Sequence, residues 1–440
     1  MPKIHLFAAC VVCLLIGQSS AWSQLVDLDR PPLEYSTATP DDAVTPLIGK
    51  LRAGKISLEH DDDHGYLRSI LTQLDVPVSS QVLVFSRTSL QRSRISPKTP
   101  RAIYFNDDVS VGFCLRGDVL EISAADPHLG TAFYTVDQDS AHGGAITRQT
   151  ETCLQCHGAS ATQGLPGHLL RSVFPDAAGE PLFSRGTKRV DHTTPFADRW
   201  GGWYVTGRSG QQTHQGNKVF GRQAEPAQGV GTNVVDLAPY FTVANYLSPH
   251  SDLVALMVLE HQTEGHNRLV RANLLTRFAL HEQTELNKAL GRPEDEALES
   301  ITRRIDVACE PLVKYLVFCE EARLECGLEG SSAFAAEFAA RAPFDARGRS
   351  LREFDLQARL FRYPLSYLVY TRAFDGLPTA AKQRVYQRLW EVLTGRDQSP
   401  PFAHLSADGR QAALEILRDT KVGLPAYWQG GGQREDAHDE

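Results

Sequence analysis

The chain has 440 residues, 42% hydrophobic and 22% charged, a globular balance and too long for one simple core. Its formal net charge of −8 excludes the broad basic field that nucleic acid requires. Beyond the N-terminus, no apolar run approaches the roughly 18 residues of a membrane-spanning helix.

At the N-terminus, Lys3 precedes the apolar run "IHLFAACVVCLLIG" (4–17) and the small residues of "QSSAWSQ" (18–24). This is the layout of a secretory signal peptide, with cleavage near Ala21 or Ser23 and a retained anchor as the alternative. Residues 1–23 are therefore expected to be removed, and the mature protein to be periplasmic or secreted. Export leaves Cys114, Cys153, Cys156, Cys309, Cys319 and Cys326. A disulfide among Cys309, Cys319 and Cys326 and buried free thiols are equal expectations.

Residues 25–140 are expected to form a β-rich N-terminal domain behind an irregular entry segment. In that segment "LEHDDDHGYLRSILTQL" (58–74) predicts an amphipathic helix. Its His60, Asp61, Asp63 and His64 suit a metal, but a capped helix start is the simpler reading. Short apolar runs follow at 81–85, 101–105, 109–115, 119–124 and 131–136, with "NDD" (106–108) and "RGD" (116–118) between them. They predict an antiparallel meander with hairpin turns.

Residues 141–250 are loop-rich, with one aromatic strand candidate, "RWGGWYVTG" (199–207). From Ser251 the pattern becomes helical: one long helix to about 290 with Gly265 as its weak point, then helices near 296–318, 378–395 and 406–419. Residues 251–427 thus form a helical C-terminal part, and 428–440 is expected to be a disordered tail. The fold class is α+β.

The middle region holds "TCLQCH", a C-x-x-C-H pattern at Cys153, Cys156 and His157. With 8 cysteines and 15 histidines in the chain, about 0.005 such matches arise by chance. Positions i, i+3 and i+4 share one helical face, so both thiols can tether one porphyrin edge while His157 serves as proximal iron ligand. Thr152 is a suitable N-cap. A zinc site lacks a second ligand pair at finger-like spacing. A thioredoxin-like dithiol lacks the preceding strand. Covalent haem c, one per chain, is the favoured reading.

The "CLQCH" motif resembles the c-type cytochromes, and "GASATQGLPGH" places Pro166 where class I members carry a proline whose carbonyl braces the proximal imidazole. The β-meander ahead of the motif and the long helical part behind it depart from that class. "RAIYFNDDVSVGF", "CLQCHGASATQGLPGHLLRSVF", "RWGGWYVTG" and "SPHSDLVALMVLEHQT" resemble a group of large exported bacterial cytochrome-c-domain proteins. That resemblance implies a haem protein and no particular reaction.

The sixth iron ligand decides the function. Met257 is the one methionine left after export and a candidate, against its reading as a core residue. His261 lies one turn on, and His142, His168, His192, His214 and His250 are loop candidates. Trp200, Trp203 and Tyr204 are candidate walls, and Arg171 or Arg199 candidate propionate partners. The expectation is a periplasmic monohaem cytochrome passing single electrons to a redox partner protein, without nucleic acid or a membrane span in the mature chain. A peroxidase-like enzyme or haem-based sensor with an open distal position is the alternative.

Overall fold

The alternating runs of the N-terminal half pair into a seven-stranded antiparallel sheet whose strands lie in the order 146–148, 130–137, 119–126, 109–113, 101–105, 82–84 and 203–204. The computed structural model describes residues 27–221 and 229–429, so the expected signal peptide and the tail from 430 lie outside the described residues. Two helices, α1 (Val44–Arg52) and α2 (Leu67–Gln73), precede the strands. The strands are β1 (Val82–Val84), β2 (Arg101–Phe105), β3 (Val109–Phe113), β4 (Val119–Asp126), β5 (Gly130–Asp137) and β6 (Ile146–Arg148). A single helical turn, α3 (Leu154–His157), leads to the small hairpin of β7 (Arg171–Val173) and β8 (Thr187–Arg189). The aromatic candidate contributes β9 (Trp203–Tyr204), which adds to β1, and β10 (Gly207–Arg208).

Side chains alternate across a strand, so the sheet has two chemically different faces. One face carries Tyr104, Val111, Ile122 and Tyr134, buried together with Leu67 and Ile70 of α2. The other carries Arg101, Gly112, Glu121, Ser123 and Phe133, in the registers Ser110↔Ser123 and Ser123↔Phe133. This polar face receives the motif.

The helical part is led by α4 (Leu253–Ala289), 37 residues long. Asp252 caps it by accepting from the Val254 and Ala255 N–H groups at 2.8 and 3.1 Å. Its first turns are buried all round, as a helix apolar on every side must be. Then come α5 (Glu299–Leu316), β11 (Glu329–Gly330, paired with β10), α6 (Phe334–Ala339), α7 (Arg372–Asp375), α8 (Thr379–Leu393) and α9 (Ala407–Thr420).

The expected boundaries near 140 and 250 do not separate cores. Val84 and Phe105 of the sheet, Leu170 and Trp200 of the middle region and Met257 and Leu312 of the helices share one hydrophobic cluster. Order also reaches further than expected at the C-terminus, where Trp428 is buried and stacks edge-on against Tyr386. The six described cysteines are all free thiols. Burial pushes Cys309 and Cys319 up to about 12. No helix among the described residues is long and apolar enough to cross a membrane.

Candidate functional site

Cys153, Cys156 and His157 come from one helical turn, because the Cys156 and His157 N–H groups donate to the Cys153 carbonyl at 3.2 and 2.9 Å. The cap position is Cys153 itself, with no side-chain cap, and Thr152 is exposed. Cys156 is exposed and Cys153 half-buried. Burial, with the Glu121 carboxylate second, pushes the Cys153 thiol up to about 11.

His157 is held on three sides. Its ring packs on Phe133 at 5.0 Å between centroids. Its Nδ1–H donates to the Gly167 carbonyl at 2.8 Å. The Gly167 N–H returns a bond to the His157 carbonyl, also at 2.8 Å, and the Thr162 hydroxyl donates to that carbonyl at 3.0 Å. The brace expected from Pro166 is thus supplied by the next residue. With the proton fixed on Nδ1, Nε2 keeps its lone pair, and it makes no hydrogen bond among the described residues. Burial lowers the His157 pKa, opposed by the Gly167 carbonyl.

Behind this brace lies a polar seat that the motif alone does not reveal. Asn267 of α4 clamps the His168 backbone, accepting from its N–H and donating to its carbonyl, both at 2.9 Å. The His168 Nε2 meets Ser123 Oγ at 2.8 Å, and its ring faces those of His157 and His266. Beside it, Arg101 pairs with Glu121 at 2.5 Å and lies across Gly112, where a Cβ would come within 2.2 Å of the guanidinium. Polar residues at 121 and 123 of β4 and at 101 of β2 were the signal for this face. Asn267 carried none.

The remaining candidates lie elsewhere. Met257 is buried in the helical core. It lies 13 residues, about 20 Å along the axis, from Val270, which shares a cluster with Leu154 of α3. His261 is also buried there, with His192 Nδ1 at 2.9 Å from its Nδ1 and Ser366 Oγ at 2.7 Å from its Nε2. Arg199 is locked onto Glu260, and Trp200 Nε1 donates to the same carboxylate at 3.0 Å. His214 packs edge-on against Trp200, and His142 is an exposed partner of Asp137. The Tyr204 hydroxyl donates to the Pro97 carbonyl, and Trp203 Nε1 to the Arg171 carbonyl. Of the expected propionate partners, Arg171 alone acts on His157, where its charge helps lower the pKa. The Asp61, Asp63 and His64 donors lie within 4.8 Å of one another, but Asp61 Oδ1 is already engaged by the His64 and Asp63 N–H groups.

No family model, curated protein or solved structure matches the chain. The donor set itself suits a haem: two reduced thiols on one helical turn, and an imidazole whose Nδ1 is pinned and whose Nε2 is uncommitted.

Proposed function

We propose that this chain is a monohaem c-type cytochrome, exported to the periplasm, which moves single electrons to or from a redox partner protein. The observation that carries this reading is the fixed tautomer of His157 beside two free thiols on the same turn. Cys153 and Cys156 would hold the group as thioethers and His157 Nε2 would bind its iron. When bound, the group supplies a one-electron couple. The chain supplies the rest. The Gly167 carbonyl raises the basicity of the imidazole, and Phe133 fixes its plane.

A peroxidase-like enzyme or haem-based sensor remains as a second reading, favoured by the burial of Met257 in the helical core. The test is optical and EPR spectroscopy of protein produced with haem-maturation machinery, alongside His157→Ala and the Cys153→Ala/Cys156→Ala double variant. Covalent haem in the wild type, its loss in the double variant and a changed iron spin state in His157→Ala are expected. A wild-type chain without covalent haem sinks the proposal. Ready binding of cyanide or peroxide moves it to the second reading.

A further inference from the structure

Around the motif, an acidic chain turns basic. In the β7–β8 hairpin Arg171 stands directly opposite Arg189. Like charges facing each other across strands are destabilising, and neither arginine has an ion-pair partner among the described residues. Arg189 instead donates to the Ala161 carbonyl at 2.8 Å, four residues beyond His157. From the other side, Arg271 of α4 donates to the Gln163 side chain. Every residue of β8 is exposed, and Phe183, just ahead of it, is 67% exposed. Nearby acids are mostly spent: Glu121 on Arg101, Asp198 on Lys188 and Glu264 on Arg268. Among the described residues Glu151, Asp176 and Asp191 make no ion pair, but Asp176 accepts from the Ala178 and Glu180 N–H groups and Asp191 from the Thr193 N–H and hydroxyl.

We propose that Arg171, Arg189 and Arg271, with Phe183 at their margin, form a docking face for an acidic protein surface. Its contacts with the loop just after His157, at Ala161 and Gln163, make the partner a redox protein, a step that rests on the haem reading. The acidic character of the partner rests on the arginines alone. Charge complementarity selects this occupant: a local positive field on a chain of net charge −8 steers anionic surfaces to one spot while the rest repels them. An anionic membrane is disfavoured, because one exposed aromatic gives little apolar area to insert.

The test begins with the full chain, with or without haem, on immobilised poly(L-glutamate) at pH 7. Retention at about 10 mM ionic strength and release by about 150 mM are expected, although the net charge alone predicts exclusion. Arg189→Glu/Arg271→Glu should elute unretained and Arg189→Gln/Arg271→Gln earlier than wild type. Arg303→Glu, on the exposed side of α5, should behave as wild type. An unretained wild type, or equal effects of reversal at Arg189 and Arg303, overturns the proposal. So does retention by phosphatidylglycerol vesicles without retention by polyglutamate. On haem-loaded protein, oxidation by ferricyanide, one electron per iron, should slow roughly tenfold over the same salt range. A rate that rises with salt contradicts the proposal, whereas absence of covalent haem contradicts only the redox identity of the partner.

Discussion

Gly167 touches His157 twice, accepting from the imidazole and donating to the backbone carbonyl, and has no room for a side chain. A Cβ there would come within 2.4 Å of Asn267 Oδ1, the atom that accepts from the His168 N–H. Gly167→Ala therefore forces Asn267 off His168 and drags the brace with it. Asn267→Ala removes the same clamp without crowding. Each lost side-chain-to-backbone bond is worth about 1 kcal/mol, so Asn267→Ala should lower the urea unfolding free energy by about 2 kcal/mol. If His157 binds a haem iron as proposed, both variants should keep the covalent attachment yet shift the EPR g-values, because the imidazole would lose the contact that fixes its orientation. Unchanged g-values in both would show that Gly167 does not orient His157.

At the scale of elements, α4 is the piece on which both the motif and the helical core depend. Its Gly265, a weak point by helix propensity, is where Leu368 closes on the helix: a Cβ would meet Leu368 Cδ1 at 2.1 Å and Tyr315 at 3.3 Å. Gly265→Ala gains about 1 kcal/mol of propensity but overpacks a buried contact at a cost of about 1–3 kcal/mol. A net loss of about 1 kcal/mol is expected by thermal or urea unfolding. A gain in stability would show that Leu368 swings aside freely. The same helix marks how far the fold could be read from the chain. Period-two runs located β1 to β5 to within a few residues, and the switch to helical spacing at Ser251 located the start of α4. The β7–β8 hairpin escaped, because "RSV" and "TKR" have no apolar alternation. At the site the donors were legible from spacing alone. The brace was misplaced by one residue, since loop geometry rather than composition decides whether Pro166 or Gly167 turns its carbonyl inward. The His192–His261–Ser366 series joins residues 69 and 105 positions apart, so no local pattern announces it.

At the scale of the whole molecule, the described chain keeps an unusual number of histidines neutral by burying them. Burial lowers His157, His168, His261 and His266, and takes His192 and His214 down to about 3. Such a group binds its proton in the unfolded chain near pH 6.5 but in the folded chain only at lower pH, and for His192 and His214 only far lower. Between those values the unfolded state holds more protons, so stability falls as pH drops below about 6.5. At pH 5.5, His192 and His214 each withdraw about 1.4 kcal/mol relative to neutral pH. Asp108 runs the other way. Burial and the neighbouring Asp107 raise it to about 6, so it gains a proton in the folded state first and offsets part of one histidine. The four other histidines add to the acid side, whereas Glu260, raised by burial to about 8, and Glu321, also raised by burial, act in the same direction as Asp108. His214 isolates the effect, because its ring sits among Phe196 and Trp200 and accepts one bond, from the Gly216 N–H at 3.1 Å. His214→Phe keeps the ring packing and removes the titration. Urea unfolding at pH 7.5 and 5.5 should then show the wild type losing about 1.4 kcal/mol more than the variant. Equal losses would mean that His214 takes up its proton in the folded chain, within a pocket that opens as the pH falls.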